Sequence, residues 1–250
     1  MINQMLDDLD DLLPNLSVNC VIFRFNGEEL MFPASRAVFS DALVIPGAFI
    51  RRHENIDEAA IRSLQEQIGQ KDIMVSQFAT FGLASRDFSQ DFEAMEVGRL
   101  PKKIVDWISQ RFVTIGYYSV VSEENTELKL LPPFYETSWI PVDQAGHLGM
   151  DHTELVKEAL STLRLELTSK PVLLSFLPNT FTIPHLQRLY EAILDRQVDR
   201  GNFRARILKA KILIKVGKAT EGSSNRRPDL YKIDKEAYMV SLTEDIKLGF

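Results

Sequence analysis

"IPGAFIRRHENIDEAAIRSLQEQIG", residues 45–69, decides how the first half of the chain folds. A Pro-Gly break opens a short apolar run, a polar loop follows, and a helix is predicted over Asp57–Ile68. Asp57 and Glu58 suit the positive end of that helix, and Gly69 suits its stop. Ala60, Ile61, Leu64 and Ile68 fall on one face, the side expected to pack. Positions 63, 66 and 67 stand three and four apart and are read as sharing one helix face. Three carboxylates there would gather oxygens around a hard divalent cation. Ser63 and Gln67 are neutral, and only Glu66 is acidic.

Working outward, "SVNCVIFRFNGEELMFPAS" (17–35) reads as two strands joined at an Asn-Gly turn. Further strands are expected in "IMVSQFATFGL" (73–83), "RFVTIGYYSVV" (111–121) and "ETSWIPVDQA" (136–145), with a short helix at Lys103–Gln110. Strands alternating with helices make this part a mixed α/β domain. Past "AGHLGM" (145–150) the pattern turns helical. "DHTELVKEALSTLRLELTS" carries an apolar stripe, and "TIPHLQRLYEAILD" has Thr182 as N-cap with Pro184 in its first turn. "DRGNFRARILKAK" follows with Asp199 as N-cap, and 212–233 reads as a hairpin with a long polar tip. Helix, tight turn, helix and hairpin make a winged helix-turn-helix. Phe203, Ile207 and Leu208 are expected to face its core.

The chain has 250 residues and a formal net charge of −6, but the charge is uneven. Residues 180–235 hold 13 Lys and Arg against 6 Asp and Glu, which suits either a polyanion partner or a solvated basic face. No apolar run reaches a membrane span of about 18–20 residues, and the acidic "MLDDLDDLLP" (5–14) is unlike a secretory leader. A cytoplasmic protein is expected. The one cysteine, Cys20, lies in an apolar run and reads as a buried, inert thiol. His53, His147, His152 and His185 are too scattered for metal-ligand spacing. Packing or capping is the expected role of His152. Phe78, Phe81, Tyr117 and Tyr118 read as core aromatics.

The frame 47–69 resembles the Nudix box, a Gly, five residues, Glu, seven residues, then Arg-Glu-apolar-x-Glu-Glu-x-Gly. Here it runs Ala48, Glu54, then Arg62-Ser63-Leu64-Gln65-Glu66-Gln67-Ile68-Gly69. The wider chain, about residues 17–238, is similar to Nudix-related transcriptional regulators of the NrtR type. "FATFGLASRD" (78–87), "VTIGYYSVV", "WIPVD" (139–143) and "DHTELVKEALSTLR" carry the likeness. So do "FLPNTFTIPHLQRLYEAILDRQVDRGNFRARIL" (176–208) and the Arg-Arg-Pro before "LYKI". The chain departs from the pattern in the strand before the box, "LMFPASRAVFSDALVIPGAF", in the long connection 87–111, and in the further degraded box.

The resemblance implies an α/β fold, a Nudix-like α/β/α sandwich with a mixed sheet, followed by a winged helix-turn-helix domain. Residues 1–147 would sense an effector and 148–250 would bind DNA. The implied function is a DNA-binding transcriptional regulator, a repressor. Its degenerate Nudix-like domain would respond to a small metabolite such as ADP-ribose, a nucleotide or a sugar. Partners are operator DNA, the effector and a second copy in a homodimer. DNA contacts are expected from Arg200, Asn202, Arg204, Arg206 and Lys209, and from Arg226 and Arg227 in the wing. Effector contacts are expected from Phe81, Arg86 and Asp87. Glu54, Arg62 and Glu66 are remnants of the box, and no catalytic residue, metal or cofactor is expected. The alternative is a Mg²⁺-dependent Nudix hydrolase of nucleoside diphosphate derivatives, with Glu93 or Glu96 as replacement ligands.

Overall fold

The computed structural model describes residues 9–37, 42–70, 73–86, 101–123, 126–131, 134–167, 169, 172–219 and 227–243. Two compact units emerge, one from residues up to Phe23, Met31–Ser119 and Thr126–Ala159, the other from Arg24–Leu30, Val120–Asn125 and Leu160 onward.

The first sheet contains β1 (Leu12–Phe25), β2 (Leu30–Ala37), β3 (Leu43–Val44), β4 (Gly47–Arg51), β5 (Val75–Phe81), β6 (Val113–Val121) and β7 (Phe134–Pro141). Its order is β3-β2-β1-β6-β5, with β4 also paired to β1 and β7 to β2. The two middle strands are buried almost without alternation, over 17–23 in β1 and 114–119 in β6. Strands covered on both faces bury successive residues in this way, as a sandwich requires. The Asn-Gly turn forms as expected, with Gly27 at φ 96 and Asn26 Oδ1 accepting from the Glu28 and Glu29 amides at 3.0 and 2.8 Å. Gly47 is demanded by packing, since a Cβ there would stand 2.7 Å from the Val18 carbonyl oxygen.

The helices of this region are α1 (Ile56–Ile68), α2 (Lys102–Ile108) and α3 (His152–Glu166). At the start of α1 the Glu58 carboxylate accepts from the Asn55 amide at 2.7 Å, and Gly69 ends the helix at φ 70. Its buried face differs from the expected one. Ala59, Ala60, Ser63, Leu64, Gln67 and Ile68 are buried, while Ile61 is only half-buried. Positions 63 and 67 therefore belong to the packing side, and Glu66 does not. The reason is angular: 60, 63, 64 and 67 cluster at helical spacing, whereas 66 is turned about 100° from 67.

The second unit holds α4 (Leu173–Phe176), β8 (Phe181–Thr182), α5 (Ile183–Leu194), α6 (Arg200–Lys209), β9 (Leu213–Lys218), β10 (Asp229–Ile233) and α7 (Lys235–Thr243). Its small sheet runs β8-β10-β9, antiparallel throughout. This is the order of a winged helix. The core joins Leu186, Leu189, Tyr190 and Ile193 of α5 to Phe203 and Ile207 of α6, with Tyr231 and Tyr238. The Tyr190 and Phe203 rings meet edge to face at 5.4 Å. Leu208 corrects the sequence expectation. It is 39% exposed, because it lies about 100° beyond Ile207 and turns away from the core.

Candidate functional site

The box helix holds its frame through side-chain bonds of its own. Arg62 clamps the loop before α1: its Nε and Nη2 donate to Glu54 at 2.9 and 2.6 Å, and Nη2 also donates to the Phe49 carbonyl at 2.9 Å. The Arg51 amide donates to Glu54 at 2.7 Å. Burial pushes the Glu54 carboxyl up, but the bonds and charge from Arg62 and the Arg51 amide outweigh it and hold it below the usual range. The Phe49, Trp107 and Phe112 rings cluster alongside at 4.4–5.4 Å, an assembly with no signal in the sequence because its members come from three separate segments.

Ser63 and Gln67 are 2% and 3% exposed, and Gln67 Nε2 donates to Ser63 Oγ at 2.9 Å. Cys20 lies beneath, its thiol pushed up to about 12 by burial against a smaller opposing effect of Ser63. It is the inert thiol expected. Glu66 stands 3.6 Å from Arg62, the i, i+4 pair. These residues do not fit Mg²⁺. Two are neutral and bonded to each other, and the third is paired with an arginine. Among the described residues, no group of three or more His, Cys, Asp and Glu side chains is placed to hold a metal ion.

Of the residues expected to meet an effector, Phe81 is half-buried against Phe78 at 5.9 Å. Arg86 is buried. Its Nε and Nη2 donate to Asp151 at 2.6 and 3.2 Å, and Nη1 donates to the Phe112 carbonyl at 2.7 Å. Beside Asp151, His152 is buried, and its Nδ1 accepts from the Ile45 amide at 2.9 Å. Burial lowers the His152 imidazole to about 4, with Asp151 opposing and Arg86 assisting. A neutral ring that accepts from backbone is a packing residue, as the sequence suggested. Asp87, Glu93, Glu96 and Arg226 lie outside the described residues.

The helix-turn-helix is built by three local devices. Thr182 accepts from the His185 amide at 3.3 Å at the start of α5. Glu191 Oε1 accepts from the Val198 amide at 2.9 Å and from Gln187 Nε2 at 3.0 Å, fixing the turn. Asp199 accepts from the Asn202 amide at 2.8 Å and starts α6. Both caps were expected. With Phe203 and Ile207 buried, Arg200, Asn202, Arg204, Arg206 and Lys209 are all exposed on one helix. In the wing, Lys215 Nζ bonds Asp229 at 2.8 Å, and that bond, with the charges of Lys218 and Arg204, holds the Asp229 carboxyl low. Arg227 is exposed. Helix α7 escaped the sequence reading, although Asp234 was its visible cap signal: Oδ1 accepts from the Ala237 amide at 3.1 Å. An open depression of about 450 Å³ lies at the end of α5, lined in part by Glu28, Arg188, Glu191 and Asp195. Glu191 is already engaged, and the mixed charges there select no ligand.

Residues 173–233 match the NrtR DNA-binding winged helix domain. The ADPR responsive transcriptional repressor NtrR of Acinetobacter baylyi is 22% identical over 232 residues, 90% of this chain and 84% of that protein. The crystal structure of Shewanella oneidensis NrtR complexed with a 27mer DNA matches at TM-score 0.67 and 22% identity, over 89% of this chain and 95% of that one. A MutT/nudix family protein from Enterococcus faecalis matches at TM-score 0.61 and 17% identity, over 94% of each chain. The likeness drawn from the sequence therefore holds. A Nudix-like mixed sheet with helices is followed by a winged helix of the NrtR kind.

Proposed function

We propose that this chain is a DNA-binding transcriptional regulator, a repressor, whose Nudix-like part senses a small metabolite and does not hydrolyse it. The observation that carries this reading is the set of exposed cations along α6 of a winged helix. Residues 1–147 form the sensing domain and 148–250 the DNA-binding domain. The protein acts as a cytoplasmic homodimer on double-stranded operator DNA. Among the described residues, no helix is long and apolar enough to cross a membrane. ADP-ribose is the first effector to test, because the Acinetobacter baylyi relative is described as ADPR responsive. The box supports sensing over catalysis, since Ser63 and Gln67 bond each other where metal ligands would stand. Binding to one state of the protein shifts DNA affinity by the factor by which DNA shifts effector affinity.

The test uses the full chain and a duplex from upstream of its own gene. Affinity is expected to fall about a thousandfold between ~50 and ~200 mM salt if six or more phosphates are contacted. No salt-dependent binding would reject the regulator. The hydrolase alternative predicts Mg²⁺-dependent turnover of ADP-ribose that is lost in Glu66→Gln.

A further inference from the structure

We propose a division of labour on α6. Gly201, Asn202, Ala205 and Leu208 form the face that meets base edges, while Arg204 and Arg206 grip the phosphates on either side. This rests on the DNA-binding reading above and goes beyond it, because all the polar residues of α6 were grouped there as one contact set.

The geometry comes from the buried residues. Phe203 and Ile207 are fully buried and define the inward direction of the helix. At about 100° per residue, Arg204 and Arg206 then lie about 80° to either side of it. They flank the helix symmetrically, and stems of that length give a guanidinium the reach to either edge. Ala205 points directly away from the core. Gly201 and Leu208 lie beside it on the Arg204 side, and Asn202 and Lys209 lie on the Arg206 side.

Two observations on this face have no explanation within the chain. The first is Gly201, which sits inside the first turn of α6 without a positive φ. A Cβ there would touch only Asp199 Oδ1, at 3.4 Å, an ordinary contact. The fold does not require glycine at this position, and glycine is a poor helix former. A bare backbone there serves close approach by something outside the chain. The second is Leu208, an apolar side chain left 39% exposed amid cations. Ala205 and Leu208 suit the methyl group of thymine, and Asn202 suits the paired acceptor and donor of adenine. Arginines on the two edges suit the two phosphate walls of a groove, where they set position and carry no sequence information.

The test selects duplexes from a random-sequence library with the full chain, then measures variants on the selected duplex and on an unrelated one. Gly201→Ala should melt at or above the wild-type temperature, yet bind the selected duplex about tenfold more weakly. Gly201→Leu should lose the preference for the selected duplex while remaining folded. Asn202→Ala and Leu208→Ala should change which bases are selected and keep the salt slope. Arg204→Ala and Arg206→Ala should keep the selected bases and reduce the slope by about one each. Wild-type affinity in folded Gly201→Leu, or base preferences that move with the arginine variants, would overturn the division. If the wild-type chain binds no duplex in a salt-dependent way, the regulator reading fails as well.

Discussion

Arg62 and His152 show two ways in which single side chains hold this fold. Glu54 is 9% exposed and is held by two guanidinium bonds, so Arg62→Ala leaves a buried carboxylate with only a backbone amide. A loss of about 3 kcal/mol is expected in chemical denaturation, since breaking one side of a buried pair costs more than the pair contributes. The depressed Glu54 carboxyl contributes stability that is present above the ordinary glutamate range and is lost as pH falls below it. His152 works in a higher window. Its folded value of about 4 lies below the unfolded 6.5, so the unfolded chain binds the proton first. Stability therefore falls as pH drops from about 6.5 toward about 4, by about 2 kcal/mol between pH 7 and pH 5 from this group. Melting temperatures across that range should flatten in His152→Gln, and an unchanged slope would place the titration elsewhere. The sequence could reveal that Arg62 and Glu54 belong to one frame. It could not reveal that Arg86 bonds Asp151, because that pair is 65 positions apart and closes only in the folded chain.

Two helices carry the tests of the proposed regulator at the scale of the element. On α1, restoring the box as Ser63→Glu with Gln67→Glu would put two carboxylates on a buried face beside Cys20. Destabilisation by several kcal/mol is expected, without gain of Mg²⁺-dependent turnover. A stable, active double variant would show that the helix can hold metal ligands at these positions. On α6, Asp199→Ala removes the N-cap bond to Asn202 and should cost about 1 kcal/mol, read as a lower melting temperature and weaker DNA binding together. Helix boundaries were legible here because caps are local chemistry: Thr182, Asp199 and Gly69 each act where the sequence placed them. The outward face of α6 was only half legible. Counting residue types grouped the arginines with Asn202, and the flanking positions appeared only once Leu208 was found outside the core that Phe203 and Ile207 share.

At the scale of the whole molecule, the proposed reading is a sensing domain and a DNA-reading domain on one polypeptide. An ADP-ribose titration should raise the melting temperature of the full chain, because a ligand that binds only the native state adds to its stability. No shift across nucleotides and sugars would remove the sensing role and leave DNA binding intact. The sequence by itself determined the two kinds of domain, the turn at Asn26-Gly27, the helix caps and the concentration of cations in residues 180–235. Each of these depends on neighbours within a few positions, or on composition, and needs no knowledge of the rest of the chain. Tertiary structure alone decided that Ser63 and Gln67 are buried and bonded together, that Arg86 is held by Asp151, and which residues of α6 face outward. Those facts depend on which side of each helix is covered, and covering is the work of residues far away in the sequence.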